Sequence, residues 1–130
     1  MLINIYQEIQ VATILIIEDD PDLRTDLIEI FIAEGFSAIA VADAFAGLQQ
    51  IKEIQPDALL CDIHLSAQDN FDAIEILRQE ARAMNIPFIF LTAQPPAVIE
   101  RAQRVFKPNA IVTKPFDVPG LFETVRTHLH

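Results

Sequence analysis

Five short apolar runs, separated by longer segments in which apolar residues recur every three or four positions, constrain the fold of this chain most strongly. Runs of this length and continuity predict strands buried on both faces, and the three-to-four spacing predicts amphipathic helices between them. Regular alternation of strands and helices is typical of a parallel sheet covered by helices on both sides. The sequence therefore predicts one doubly wound α/β domain with strands at Ala12–Ile17, Ser37–Val41, Ala58–Cys61, Pro87–Leu91 and Ala110–Thr113.

Several helix boundaries can be predicted from single residues. Asp20, which is followed by Pro21, and Asp117 are typical helix starts, because an Asp side chain caps free amide groups and Pro fits the first turn. Gly35 is a typical residue at the end of a helix. We expect the domain to occupy residues 11–130 and residues 1–10 to form an extension, to which the sequence assigns no role.

Composition and charge exclude several classes of function. The apolar stretches are far shorter than the roughly 20 residues of a membrane-spanning helix, so we expect no membrane insertion. A net charge of −10 argues against nonspecific binding to nucleic acid. The single cysteine, Cys61, cannot form an internal disulfide, which fits a reducing compartment, and we expect a cytoplasmic protein. We interpret Cys61 as a buried strand residue.

Polar side chains stand where four of the predicted strands end. Glu18 and Asp19 follow the first strand, Asp62 the third, Thr92 the fourth and Lys114 the fifth. The carboxyl ends of parallel strands share one edge of the sheet, and ligands of doubly wound folds bind at that edge. We therefore expect these five side chains to form one site.

The chemistry of this set indicates a cation and a phosphoryl group. Two carboxylates about 4 Å apart repel by about 4 kcal/mol at an effective dielectric constant near 20, and a divalent cation removes that cost. Mg²⁺ suits such a site because it accepts one or two carboxylates and also binds phosphate oxygens. An Asp carboxylate can act as the nucleophile toward phosphorus. The hydroxyl of Thr92 and the ammonium of Lys114 can neutralise charge on the transferred group.

The segments around these residues resemble the four signature blocks of response-regulator receiver domains. The blocks are Ile14–Pro21, Leu60–Leu65, Phe90–Ala93 and Thr113–Phe116, and the similarity runs from about Thr13 to Leu129. The resemblance implies a flavodoxin-like (βα)5 fold with strand order 2-1-3-4-5. It also implies a signalling domain that catalyses only its own phosphorylation and dephosphorylation.

The resemblance assigns a role to each residue of the predicted site. Asp62 would be the phosphoacceptor, and Thr92, Ala93 and Lys114 would bind the phosphoryl group and respond to it. Mg²⁺ would be bound by Glu18, Asp19, Asp62 and the backbone carbonyl of His64. The Lys114–Pro115 peptide bond matches a family position that is usually cis.

Partners follow from the resemblance as well. It implies a sensor histidine kinase or a histidine phosphotransfer protein as the phosphodonor, and a downstream protein as the target. It also implies a homodimer through the face formed by helix 4, strand 5 and helix 5.

One residue departs from the family pattern and keeps an alternative open. Ile111 lies three residues before Lys114, where receivers usually carry Tyr or Phe, so the usual aromatic switch residue is missing. The alternative is a receiver fold that signals through protein contacts without phosphorylation. The complete set of site residues argues against this alternative, and Ile111 argues for it.

Two other families with related folds fit poorly. A haloacid-dehalogenase-type phosphatase needs Asp-x-Asp at the end of strand 1, whereas the nucleophile candidate here ends strand 3. A flavodoxin needs a hydroxyl-rich phosphate loop after strand 1, where this chain is acidic.

Overall fold

The computed structural model describes residues 11–62 and 68–130, without the side chains of residues 68–70, and contains a five-stranded parallel sheet. The strand order is β2-β1-β3-β4-β5, so the predicted doubly wound (βα)5 fold is confirmed. The chain alternates strictly between strands and helices: β1 Thr13–Glu18, α1 Pro21–Ala33, β2 Ser37–Val41, α2 Ala44–Ile54, β3 Ala58–Asp62, α3 Gln68–Ala83, β4 Phe88–Thr92, α4 Pro96–Phe106, β5 Ala110–Thr113 and α5 Val118–His128.

Three strands extend one residue further toward their carboxyl ends than the apolar runs predict. Glu18, Asp62 and Thr92 are the last residues of β1, β3 and β4, not the first residues of the loops. Strand pairing is a property of the backbone, so the ladder continues past the last apolar side chain. As a result, Glu18 pairs directly with Asp62 across the β1–β3 ladder.

The helix ends follow the predicted caps. Asp20 precedes α1, and its Oδ1 accepts a 2.9 Å hydrogen bond from the backbone N–H of Asp22. Asp117 caps α5 in the same way through its Oδ2. Gly35 follows α1 with a φ of +99°, a conformation that L side chains rarely adopt. In the part of the chain that the structure describes, no helix is both long and apolar enough to cross a membrane.

Two apolar clusters cover the two faces of the sheet. One packs α2, α3 and α4 against the sheet, and the other packs α1 and α5 on the opposite face. The expectation of strands buried on both faces holds for β1, β3 and β4 but is wrong for β2 and β5. These two strands lie at the edges of the sheet, so each lacks one neighbour, and Ile39 in β2 is 39% exposed.

Candidate functional site

Polar side chains are buried at the carboxyl edge of the sheet. Glu18 of β1 and Asp62 of β3 lie on paired positions of adjacent strands and are only 2% and 7% exposed. Thr92 ends β4, the next strand in the sheet, and is buried as well. Burying two carboxyl groups is costly unless a cation or a proton compensates them. The surrounding groups show how this chain offsets the cost of burying the two carboxyl groups.

Lys114 supplies the cation within the chain. Its Nζ lies 2.5 Å from Oδ2 of Asp62, in an ion pair that is largely shielded from solvent. The backbone N–H of Lys114 donates a 2.8 Å hydrogen bond to the carbonyl oxygen of Thr92, which ties the start of the β5–α5 loop to the end of β4. The Lys114–Pro115 peptide bond is cis, as the family resemblance implied.

Neighbouring groups hold the Glu18 carboxyl group in place, but they do not neutralise a negative charge on it. Its Oε1 accepts a 3.0 Å hydrogen bond from the backbone N–H of Asp20, whereas its buried Oε2 has no hydrogen-bond partner among the residues that the structure describes. Burial, and next the adjacent Asp62 carboxyl group, raise the pKa of Glu18 to about 9. The Asp20 N–H and the charge of Lys114 act in the opposite direction. The Glu18 carboxyl group therefore holds a proton at neutral pH when no further cation is present.

The other acidic residues after β1 have different surroundings. Asp19 is exposed to solvent at the mouth of the site. Asp20 uses its carboxylate to cap α1, as predicted from the sequence. His64, whose carbonyl the resemblance assigns to the metal, lies outside the described residues.

Thr92 contributes a buried hydroxyl group. Its Oγ1 accepts a 3.1 Å hydrogen bond from the backbone N–H of Gln94, so the side chain is linked to the loop that leads into α4. Ala93, between these two residues, is exposed. A ligand that attracted the Thr92 hydroxyl would therefore act directly on the β4–α4 loop.

The structure adds one residue that the sequence analysis missed. Nη1 of Arg24, in the first turns of α1, donates a 2.8 Å hydrogen bond to the backbone carbonyl of Glu18. This contact anchors the end of β1 from which Glu18 and Asp19 project. The sequence contains an indication of this contact, because Arg24 is the first basic residue after the acidic segment Glu18–Asp22 and follows it by two positions.

The oxygen donors of this site suit a hard divalent cation that keeps part of its water shell. Within residues 11–62 and 68–130, no three His, Cys, Asp or Glu side chains are grouped closely enough to hold a metal ion. Mg²⁺ does not require such a group, because it keeps several waters and binds proteins through one or two carboxylates. The unpartnered Oε2 of Glu18 and the neighbouring Asp62 carboxylate are oxygen donors of the type that Mg²⁺ takes.

Two further residues behave as packing residues. Cys61 is fully buried in β3, and burial raises the pKa of its thiol well above the usual value, so the thiol stays protonated. Ile111 of β5 is half-buried against the apolar cluster that contains Phe90 and Phe106. The position of the missing aromatic residue is thus filled by an aliphatic side chain in contact with the core.

Comparisons with known proteins agree on one family. The family model described as "Response regulator receiver domain" matches residues 14–126. The chain is 29% identical over 116 residues to the DNA-binding response regulator MtrA of Mycolicibacterium smegmatis, covering 89% of this chain and 50% of MtrA. It is 29% identical over 120 residues to the polar-differentiation response regulator DivK of Brucella anthropi, covering 90% of this chain and 95% of DivK.

The fold is shared with solved structures. The chemotaxis protein CheY4 of Vibrio cholerae superposes with a TM-score of 0.79 at 18% identity, over 92% of this chain and 100% of CheY4. The chain thus spans about half the length of MtrA and nearly the whole of DivK and CheY4.

Proposed function

The chain belongs to the response-regulator receiver domain family, and from this membership and the geometry around Asp62 we propose that it is a Mg²⁺-dependent phosphoacceptor switch. Membership makes it a signalling domain of two-component systems, not a classical enzyme. The observation that carries the proposal is the ion pair between the buried Asp62 and Lys114, next to the buried carboxyl group of Glu18.

In the proposed reaction, a carboxylate oxygen of Asp62 attacks the phosphorus of a phosphohistidine. The new O–P bond forms as the N–P bond breaks, and the electron pair of that bond leaves with the imidazole of the donor. Lys114, which is paired with Asp62 in the unphosphorylated chain, then binds one phosphoryl oxygen. The Thr92 hydroxyl donates a hydrogen bond to another phosphoryl oxygen. The phosphorylated residue is an acyl phosphate, which is labile to acid and base.

The metal-binding residues would be Glu18, Asp19 and Asp62, together with the backbone carbonyl of His64. When bound, Mg²⁺ would supply charge neutralisation for the carboxylates and for the transferred group. Glu18 must give up its proton to take part, because its carboxyl group is protonated at neutral pH in the metal-free chain. Arg24 keeps the end of β1 in place during this exchange.

The proposed partners are a sensor histidine kinase or a histidine phosphotransfer protein, and a downstream target protein. Dimerisation through α4, β5 and α5 and a cytoplasmic location remain predictions. The alternative, a receiver fold that signals without phosphorylation, gives no role to the buried carboxyl groups of Glu18 and Asp62 or to the half-buried Lys114. It is therefore less favoured, although Ile111 fits it.

The test is the intact mass of the protein after incubation with a small phosphodonor and Mg²⁺. We expect one added phosphoryl group that is lost in acid and in base, and no addition to Asp62→Asn. Asp26→Asn, which changes an exposed carboxylate on α1, is the matched control and should be labelled like the unaltered protein. Equal labelling of Asp62→Asn would overturn the proposal.

A further inference from the structure

A second polar site lies at the amino-terminal edge of the sheet, where the chain enters β4 and β5. A cavity of about 330 Å³ opens there between α3, the loops before β4 and β5, and the end of α5. Its lining includes two arginines, Arg78 and Arg82, and two histidines, His128 and His130. No Asp or Glu is among the ten residues that line it. In a chain with a net charge of −10, this local excess of positive charge requires an explanation.

Arg78 is the buried member of this cluster. Its Nε donates a 3.0 Å hydrogen bond to the carbonyl oxygen of Phe106, and its Nη2 donates a 2.9 Å hydrogen bond to that of Lys107. These two bonds fix the guanidinium plane against the end of α4. Nη1 has no hydrogen-bond partner among the described residues and remains available as a donor.

Arg82 stands four residues later on α3 and is exposed. Residues four apart on a helix lie on the same face, so two guanidinium groups line the cavity side by side. Within the described part of the chain, no carboxylate lies within ion-pairing distance of either group. Burial, and next the charge of Arg82, lower the pKa of Arg78. An anion between the two arginines would offset both effects.

Asn109 adds a neutral donor. Its Oδ1 accepts a 2.9 Å hydrogen bond from the backbone N–H of Phe88, which fixes the orientation of the amide. The Nδ2 group, with two N–H donors, is then the free end of a side chain that lines the cavity. The lining thus offers donors on Arg78 and Arg82 of α3 and on Asn109 of the loop before β5.

We propose that this cavity binds a small phosphate-bearing anion, held by the guanidinium groups of Arg78 and Arg82 and the amide of Asn109. Two guanidinium groups match the double negative charge of a phosphate and its geometry of several acceptor oxygens. The volume is large enough for inorganic phosphate or a small phosphate monoester, which are the proposed ligands. The site is separate from Asp62, which lies at the opposite edge of the sheet.

The test is a titration of the full chain followed by the backbone amide and histidine ring signals in NMR spectra. Inorganic phosphate and glycerol 3-phosphate are added separately, at constant ionic strength and with a chelator to remove divalent cations. We expect saturable shifts at Asn85, Asn109 and His128 with at least one of the two ligands. Saturation by phosphate alone assigns the site to free phosphate, and saturation by both assigns it to the phosphoryl group in general.

Arg82→Gln is the diagnostic variant, because Arg82 is exposed and makes no contact on which folding depends. It should weaken binding about tenfold, the usual effect of losing one charge-assisted hydrogen bond. Arg104→Gln removes an exposed arginine of α4 outside the cavity and should leave the affinity unchanged. Shifts that chloride reproduces, shifts that do not saturate, or equal affinities in Arg82→Gln and the unaltered protein would each overturn the proposal.

Discussion

Single residues at the carboxyl edge of the sheet set the charge balance of the site. Asp62 is neutralised by Lys114, whereas Glu18 forms no ion pair within the described residues and carries a proton instead of a negative charge. The buried site is therefore close to neutral when the protein is free of metal. A divalent cation bound there would take the place of that proton, and it would be held by residues that also belong to the proposed phosphorylation site.

The raised pKa of Glu18 predicts how the stability of the metal-free protein depends on pH. Between the ordinary pKa of 4.5 and the folded-state value of about 9, the folded chain holds a proton that the unfolded chain lacks. The free energy of unfolding contributed by this group therefore falls as the pH rises through that window. Glu18→Gln should remove this part of the decrease. Urea unfolding in a chelator at about pH 5.5 and about pH 8.5 measures it, and parallel curves for the two proteins would contradict the assignment.

Asp19 tests the metal site without disturbing the buried carboxyl groups. Asp19→Ala removes an exposed carboxylate, so we expect a folded protein with weaker Mg²⁺ binding and slower phosphorylation of Asp62. Asp22→Ala, three residues further along the acidic run, is the control and should change neither. Calorimetric titration with Mg²⁺ gives the affinity. If that affinity did not depend on Asp19, the proposed metal site would be wrong.

At the scale of elements, α4 is held differently at its two ends. At its carboxyl end, Arg78 of α3 donates hydrogen bonds to the carbonyl oxygens of Phe106 and Lys107. The centroids of the Phe106 and Phe71 rings lie 4.6 Å apart. At its amino end, Pro95 provides no side-chain cap. The two ends of α4 are thus fixed by different contacts, and the amino end is the one nearer to Thr92.

Replacing Arg78 should loosen the carboxyl end of α4. Arg78→Met keeps much of the apolar volume but leaves two helix-end carbonyls without their donors, so we expect a loss of about 2–4 kcal/mol in the free energy of unfolding. Arg104→Met, an exposed arginine on α4, should cost less than about 0.5 kcal/mol. Chemical denaturation compares the two variants. A loss of less than 1 kcal/mol for Arg78→Met would show that the hydrogen bonds of Arg78 contribute little.

At the scale of the whole molecule, the proposed signal travels from Asp62 to the surface through β4. Thr92 is bonded to the backbone of Gln94, and the following loop enters α4 through Pro95 and Pro96. Ile111, in contrast, is packed against the apolar core and has the stiff χ1 of a β-branched residue. The change should therefore concentrate in residues 93–97 and remain small on the face of α4, β5 and α5.

Amide hydrogen exchange with and without a phosphate mimic tests this route. We expect the largest change in protection in residues 93–97, with the two prolines limiting its extent, and little change around Ile111. Ile111→Tyr should leave phosphorylation of Asp62 largely intact, because residue 111 is not among the residues proposed to bind the phosphoryl group or Mg²⁺. Large changes centred on Ile111, together with an unchanged loop at residues 93–97, would contradict this account.

Much of the fold was predictable because it depends on patterns that are local in the chain. The apolar runs located all five strands to within a residue at each end, and Asp20, Gly35 and Asp117 located helix ends correctly. Predictions failed where a property depends on neighbours in space. The runs at Ser37–Val41 and Ala110–Thr113 read as fully buried strands, yet they are edge strands and are partly exposed.

The sequence by itself determined the class of fold and which residues could carry charge at the carboxyl edge of the sheet, because strand ends in a parallel sheet must share one edge. Only the tertiary structure decided how those charges are compensated. The pairing of Glu18 with Asp62 and the ion pair of Asp62 with Lys114 join residues that are 44 and 52 positions apart, and these contacts leave Oε2 of Glu18 without a partner among the described residues. Arg78 shows the same limit. The sequence does not show that Arg78 is buried, and the carbonyl groups that accept its hydrogen bonds lie at the end of another helix, α4.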